Sequence, residues 1–553
     1  MARDIEALRN GPFDVLVIGG GIYGAWTALQ AVRLGLKTAI VDKGDWGSGA
    51  SMASTKLIHG GLRYLEHMRL DLVHTSLEER RELSTLLPHM VRPLRFFIPF
   101  YQDNRVGPFK LKTGLWLYDL MAGKNQPVPP HTRVSRGEAA RRYPFLNPQG
   151  LTGGFTYGDC QTDDFRFVLG VIAAARQSGA VALNYVKAVR LASRGRTVTG
   201  ALVQDLVGGA SFEVPARVVV NATGPWVSLL DDIHVLSSQV RYSRGVHLVM
   251  PPLPTEDALL LMSRRDSRIF FIVPWYGRSL LGTTDGDFTG HPDAVAIDPS
   301  DVDYLLGEAN RHLHGIHWTK ENVLGGFAGL RTLQNEGGKT LSQVTREWTM
   351  LEPRPGLLVS IGGKFTSARI DAGKMVTRIL RMLGRPADVE DAMAGFRLPT
   401  VPAGEFGKWR RETMPEVLAA GVDETTAAFM LLRFGTAVPA ILEILKQRPV
   451  LARRIASEVP FCRAEVVYSL RHEMVVHLED LLRRRLPLTI LLHSDLWLAE
   501  ELAELAAAEL KWSPSDRQTE VNHLMSRWWR PGFDCQAAGQ GPRLGTTAPQ
   551  AGN

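Results

Sequence analysis

Residues 13–42 read FDVLVIGGGIYGAWTALQAVRLGLKTAIVD. Apart from Asp14, Phe13–Gly19 is a continuous apolar, β-branched run, which fits a strand buried on both faces. The glycines Gly19, Gly21 and Gly24 then fit G-x-G-x-x-G and open an Ala/Leu-rich helical stretch that runs through Leu34. A second strand, Lys37–Val41, ends on Asp42, 18 residues beyond Gly24. Strand, glycine turn, helix, strand and terminal acid form a βαβ unit that binds a dinucleotide. The glycines admit a pyrophosphate to the helix N-terminus, where free N–H groups and the dipole favour negative charge. Asp42 is placed to accept hydrogen bonds from the ribose of the adenosine half.

The remaining composition bounds the rest of the chain. With 553 residues, 45% hydrophobic and 22% charged, it is expected to form three or four globular units, and it is neither a small module nor a disordered chain. Three cysteines, Cys160, Cys462 and Cys535, lie far apart without zinc spacing, so a reduced cytosolic protein without metal is expected. About a dozen residues precede the first strand, so no leader is expected. No run approaches ~18 consecutive apolar residues, so any membrane contact is expected to be peripheral. His472 and His477 are one residue too far apart for H-E-x-x-H, and His312, His314 and His317 lack an accompanying acid or cysteine.

The net charge of +7 is local. Val91–Phe145 holds ten Lys/Arg and three acids, which leaves the remainder neutral. Basic residues there interleave with Phe96, Phe97, Phe100, Trp116 and Leu117, a pattern that fits either a solvated basic rim over an ordinary core or a surface that dips into an anionic bilayer. No nucleic-acid motif accompanies the charge, and nucleic acid is not expected as a partner.

Further strand runs, among them Val181–Leu183, Arg217–Val220, Ile269–Val273 and Leu357–Ile361, alternate with helical stretches as an α/β chain. Beyond about Pro399 helices take over, including one expected over Arg463–Arg485, and residues 531–553 read as a disordered tail.

The segment after the βαβ unit is more specific. Ser51–His67 reads SMASTKLIHGGLRYLEH, and it is followed in order by Asn221-Ala222-Thr223-Gly224-Pro225-Trp226, Gly282-Thr283-Thr284-Asp285, Gly329-Leu330-Arg331, Thr345-Arg346-Glu347 and Gly362-Gly363-Lys364-Phe365-Thr366. With Ala464–Met474 and Asp480–Arg485, this series resembles the FAD-dependent glycerol-3-phosphate dehydrogenases of the aerobic, respiratory type, over about residues 13–530.

The resemblance implies an α/β fold: a Rossmann-like FAD-binding domain of the D-amino-acid-oxidase/glutathione-reductase type, an antiparallel-sheet substrate (cap) domain and an all-α C-terminal domain. The expected divisions are 12–90, 150–240 and 350–385 for the discontinuous FAD domain, 91–149 and 241–349 for the cap, and 400–530 for the helical domain. Besides Gly19, Gly21, Gly24 and Asp42, it assigns Ser54, Thr55, Lys56, Leu57, His59, Val186, Ala222, Gly224, Gly363, Phe365 and Thr366 to noncovalent FAD. Arg63, Tyr64, Thr284, Arg331, Arg346, Lys364 and Arg369 would take the substrate, glycerol 3-phosphate, since a phosphomonoester needs several fixed cationic donors. His247 and His59 are the candidate bases for the C2 hydroxyl proton, with Arg331 as a catalytic partner.

The implied reaction gives dihydroxyacetone phosphate, with hydride passing from C2 to flavin N5 and electrons to membrane quinone. Its expected setting is an anionic membrane surface on the cytoplasmic face of the inner membrane, with a homodimer as a possible assembly. Two rivals remain: a same-fold oxidase that uses oxygen or another small phosphorylated or carboxylated substrate, and a non-catalytic FAD-binding protein. Two departures bear on the substrate mouth. Residues 332–344 (TLQNEGGKTLSQV) lack the family's acid-rich, proline-containing form, and Ser367-Ala368-Arg369 stands for a more usual T-Y-R.

Overall fold

The computed structural model describes residues 1, 3–104, 106–230, 239–335, 347–385, 389, 393 and 395–529, with backbone alone at 63, 66 and 67. Two large sheets organise them. The first holds β1 (Phe13–Ile18), β2 (Thr38–Val41), β7 (Val181–Leu183), β8 (Val186–Arg194), β9 (Thr197–Asp205), β10 (Ser211–Asn221), β17 (Trp348–Arg354) and β18 (Leu357–Gly362). Its order is β17-β18-β10-β1-β2-β7, parallel from β18 to β7, with the β8–β9 hairpin continuing antiparallel from β10.

The apolar run at 13–18 has its cause here. Val15 and Val17 pack on one side against the helices Ile22–Arg33, Asp164–Gln177 and Ala368–Met382. Leu16 and Ile18 pack on the other, with Val198, Ala201 and Val203 of the hairpin layer. Alternate residues of a strand face opposite sides, and both sides are covered from Val15 onward, so only Asp14, half-buried at the strand's start and paired with Arg217, is polar. Each fully buried aliphatic side chain contributes about 1.5–3 kcal/mol.

The second sheet follows the order β15-β11-β14-β13-β12-β4-β6-β3, with β16 added on β11 and β5 on β6. Its strands are β3 (Leu57–Ile58), β4 (Val91–Tyr101), β5 (Thr132–Ser135), β6 (Leu151–Thr162), β11 (Val240–Met250), β12 (Ala258–Met262), β13 (Ile269–Trp275), β14 (Arg278–Gly282), β15 (Gly286–Phe288) and β16 (Gly325–Gln334). The division expected at residue 150 is corrected by β6, which runs antiparallel along the whole of β4 and so belongs to this sheet. One face, with Val246, Leu248, Leu259 and Ile272, packs on Val302, Leu305 and Ala309 of the helix Pro299–His312. The other face, with Phe327, Val273 and Leu280, meets Leu481, Leu486 and Ile490 of the C-terminal region.

The C-terminal region is helical from Phe406–Ala419 to Pro514–Arg527. The single helix expected over 463–485 is instead divided. Arg463–His472 is followed by Met474 in the left-handed region (φ 53°) and then by a π-turn at Asp480–Arg485. By length and composition one described stretch, Glu424–Gln447, is apolar enough to cross a membrane. It is half buried, and the turn Gly435–Ala437 interrupts it.

In the basic stretch at 91–145, β4 fits the reading of an ordinary core with a basic rim. Phe96, Phe97 and Phe100 are buried in β4, because both faces of this strand are covered, and Leu117 is half-buried on the helix Pro108–Ala122. The exposed apolar side chains lie on the helix Pro108–Ala122: Phe109 at 82%, Trp116 at 58% and Leu120 at 61%.

Candidate active site

The glycine turn forms a cradle that side chains would fill. Gly19 has φ 112°, and a Cβ there would meet the Ala222 carbonyl oxygen at 2.4 Å; a Cβ on Gly24 would meet the Gly19 oxygen at 1.9 Å. The helix Ile22–Arg33 therefore starts flush against the strand ends of β1 and β10. Its Ile22 N–H donates to Ser51 Oγ (3.0 Å), a contact that the sequence did not reveal. Asp42 accepts from Gly20 N–H (2.6 Å) and Gly44 N–H (2.8 Å) at the end of β2. Burial pushes its carboxyl up to about 6 even so. Val186 N–H donates to the Asp42 carbonyl at 2.7 Å, which places the start of β8 beside the same turn. Ala222 is held to Ile18, and Gly224 sits at φ 57° with open space where a Cβ would be. These features fit the ADP half of FAD: a shaped glycine cradle, a helix N-terminus for pyrophosphate and an acid for ribose.

The end expected to take the flavin is built by two segments that touch. A Cβ on Gly363 (φ 97°) would fall 1.8 Å from Tyr23 Oη, so only glycine allows this turn. Tyr23 donates to Asp371 (3.0 Å) and accepts from Lys364 N–H (3.0 Å), joining the turn to the first helix. Phe365 lies edge-on to Phe167. Thr366 Oγ1 accepts from His59 N–H (3.3 Å), which links the Gly362–Thr366 turn to the 54–59 segment. Ser54 Oγ donates to Asp164 (2.6 Å).

Lys56 requires a correction as a cofactor contact. Its side chain is fully buried, and its ammonium donates to Asp164 (2.7 and 2.9 Å) and to the Met52 carbonyl (2.7 Å), with the rings of Phe165, Trp275 and Phe327 around it. It fixes the shape of the turn. The Leu57 side chain is likewise core, on β3.

Facing that end is one face of the second sheet. On β11 it carries Ser243, Gly245 and His247, on β16 Phe327, Gly329 and Arg331, and on β14 Gly282, as the register of the pairs requires. His247 is paired with Gly282, where a Cβ would lie 2.3 Å from its ring. Its ring stacks on Phe327 (4.9 Å, 19°), Nε2 lies 3.0 Å from Thr55 Oγ1, and Nδ1 is buried without a hydrogen-bond partner among the described residues. Burial, together with the charges of Arg331 and Lys56, holds this imidazole well below its ordinary value. It is therefore neutral at neutral pH. Burial also lowers His59, with Asp159 opposing and Lys364 assisting.

Arg331 donates to Thr283 Oγ1 (3.0 Å), Asp285 (3.2 Å) and Ser243 Oγ (3.4 Å). Thr283 and Asp285 lie in the quoted motif 282–285 but, like Ser243 and Phe327, have no role assigned from the sequence; alternation along β11 and β16 beside His247 and Arg331 was the available signal for Ser243 and Phe327. Thr284 Oγ1 accepts from Val246 N–H (3.0 Å), and the residue is buried. Lys364 places its ammonium 3.8 Å from the Tyr64 ring centroid, and burial lowers it to about 8.

Arg369 is corrected out of the substrate set: its guanidinium is paired with Glu79 of the helix Leu70–Leu86 (2.5 and 3.1 Å). Arg346 lies outside the described residues, and for Arg63 only the backbone is described.

Comparison with known proteins gives the same assignment. The FAD dependent oxidoreductase family matches residues 14–379, and the C-terminal domain of alpha-glycerophosphate oxidase matches residues 398–517. The chain is 34% identical over 534 residues to the glycerol-3-phosphate dehydrogenase 2 of Mycobacterium tuberculosis, covering 94% of this chain and 89% of that one. It is 30% identical to the aerobic glycerol-3-phosphate dehydrogenase of Staphylococcus saprophyticus, covering 86% and 87%. In fold it is similar to the glycerol-3-phosphate dehydrogenase of Bacillus halodurans solved with FAD, with a TM-score of 0.77 over 95% of this chain and 96% of that one at 24% identity. FAD is accordingly its cofactor, and the chain belongs to the FAD-dependent glycerol-3-phosphate dehydrogenase family.

Proposed function

We propose that this protein oxidises sn-glycerol 3-phosphate to dihydroxyacetone phosphate, with the C2 hydride delivered to flavin N5 and the electrons passed on to membrane quinone. The observation that carries the reading is a buried His247 on the same sheet face as Arg331, opposite the Thr55–His59 and Gly363–Thr366 segments. Bound FAD supplies a two-electron acceptor. The chain supplies the rest. His247 takes the C2 hydroxyl proton at Nε2, which exchanges Thr55 Oγ1 for the substrate hydroxyl, and Phe327 holds the ring in place. Arg331 and Lys364 bind the phosphate, with Arg331 oriented by Asp285 and Thr283 so that its guanidinium meets the anion in a fixed plane. His59 and Thr366 line the flavin edge, tied through the His59 backbone N–H, and the His59 imidazole is the second candidate base.

The acceptor and location rest on a second feature. Phe109, Trp116 and Leu120 project to solvent from one helix whose neighbours Lys110, Lys112 and Lys124 are exposed. The inner side of that helix carries Tyr118, whose hydroxyl accepts from Gly60 N–H (2.9 Å), next to His59. A shallow apolar, cationic surface so close to the flavin segment suits an enzyme that serves an acceptor dissolved in an anionic bilayer on the cytoplasmic side. The reading is tested by steady-state turnover of glycerol 3-phosphate with a dye, with quinone in anionic vesicles and with oxygen alone. Turnover with dye and quinone but little with oxygen is expected. Oxygen serving as well as quinone would favour an oxidase, and no turnover with any acceptor would leave only an FAD-binding protein.

A further inference from the structure

The C-terminal region reaches the nucleotide cradle at one buried cluster. In the π-turn, Arg484 Nε donates to Asp45 Oδ2 (2.5 Å), and Arg485 donates to both oxygens of Asp45 (2.6 and 2.9 Å). The three side chains are 5%, 1% and 0% exposed, so these are desolvated, directional pairs. Asn184 Nδ2 donates to the same carboxylate at 3.1 Å. The arginines are themselves fixed. Arg485 also donates to the Glu473 carbonyl (2.8 Å), and Arg484 donates to Asp480. Asp480 accepts in addition from Tyr185 Oη (2.5 Å) and from the N–H groups of Val476 and His477 (3.0 and 2.9 Å). Burial disfavours the Asp45 charge, but Arg485 and Arg484 outweigh it and hold the carboxyl well below the ordinary range.

Asp45 stands three residues from Asp42, and the segment between them forms one wall of the cradle. Gly44 N–H donates to Asp42 Oδ1 (2.8 Å), and the Gly44 carbonyl accepts from Tyr185 N–H (3.1 Å). Gly47 N–H donates to the Gly20 carbonyl (3.0 Å), while the Trp46 ring occupies the space that a Cβ on Gly20 would need. The wall is thus tied to the glycine turn on one side and to two arginines, more than 400 residues later in the chain, on the other.

We propose that Arg484 and Arg485 are positioning residues for FAD, which clamp Asp45 and so hold the Asp42–Gly47 wall in the form that receives the adenosine half of the cofactor. FAD affinity then depends on the docking of the C-terminal region, and by reciprocity bound FAD tightens that docking.

The test is a double-mutant cycle on the full chain with Arg485→Met and Asp45→Asn, read as the FAD dissociation constant from the fluorescence of FAD released on dilution of the holoenzyme. Each single variant is expected to weaken FAD by about tenfold, the scale of one charge-assisted bond. The double variant should weaken it by far less than the product, because both changes break the same pair. At saturating FAD, kcat and KM for glycerol 3-phosphate should stay near those of the parent, since the wall is tied to Gly20 and the two arginines, whereas His247 is held by Thr55 and Phe327. Proteolysis within the C-terminal region should slow when FAD is added to the parent and slow less in the variants. Arg485→Lys keeps the charge without the fork and should weaken FAD to an intermediate degree; it carries the test if the methionine variant does not fold. Unchanged FAD affinity in the lysine and methionine variants, or strictly additive losses in the cycle, would overturn the proposal.

Discussion

Thr55 Oγ1 lies 3.0 Å from His247 Nε2, and this contact joins the segment proposed to line the flavin to the sheet that faces it. The neutral imidazole and the cofactor edge are thereby held in register before substrate arrives. Replacing His247 by Asn should lower kcat by about 10²–10⁴-fold, the range for loss of a positioned general base, and should leave FAD bound. Thr55→Ala should cost far less, because it removes an orienting bond worth about 0.5–1.5 kcal/mol. Steady-state kinetics beside the flavin absorbance of the purified variants reads both.

Arg331→Ala should raise KM for glycerol 3-phosphate by about 10- to 100-fold, since a charge-assisted bond to an anion contributes about 1.5–3 kcal/mol. FAD content should not change. Wild-type kinetics in this variant would remove Arg331 from the phosphate site.

The pH profile follows from the two perturbed groups. His247 is depressed, so its neutral, proton-accepting form persists below the ordinary histidine value, and the acid limb of kcat/KM should lie below 6.5. Lys364 is lowered to about 8 by burial, so its positive charge is lost as pH rises through that value. The alkaline limb should therefore fall near pH 8 and appear in kcat/KM, which reports the free enzyme. Lys364→Arg should move that limb upward.

Gly282→Ala places a methyl carbon 2.3 Å from His247 Cδ2. The ring must then shift from Phe327 and Thr55, so kcat should fall by at least about tenfold, the cost of a misplaced reacting group, with FAD affinity preserved. Equal losses in FAD affinity and kcat would mean that this face does more than hold the base.

For the membrane surface, Trp116→Asp with Leu120→Asp should reduce co-sedimentation with anionic vesicles and lower quinone turnover while dye turnover is retained. Binding should weaken at high salt, as a partly electrostatic attachment must. Equal losses with dye and quinone would argue against this helix as the docking face.

Parts of this site were legible in the sequence because local physics decides them. The run 15–18 is apolar because both its faces are covered, and Gly19, Gly24 and Gly363 mark places where a Cβ has no room. Other parts depend on partners far along the chain. Arg369 looks like a substrate cation until Glu79, 290 residues away, is seen to take it. Lys56 sits in a flavin-lining motif, yet Asp164 and three aromatic rings hold its ammonium in the core. Phe96 and Phe97 alternate with basic residues as a surface would, but Arg95 reaches outward to Asp257 (2.7 Å) and the rings turn inward on both faces of β4. The face that joins His247 to Arg331 comes from the pairing register of β11 and β16, which no single-chain pattern displays.

The most direct measurement is anaerobic mixing of the holoprotein with sn-glycerol 3-phosphate while the visible flavin absorbance is followed. The flavin should bleach to its two-electron-reduced form with glycerol 3-phosphate, much faster in the parent than in His247→Asn, and it should not bleach with glycerol. A flavin that stays oxidised in the parent, or that glycerol reduces equally well, would contradict the assignment of this site to glycerol 3-phosphate oxidation.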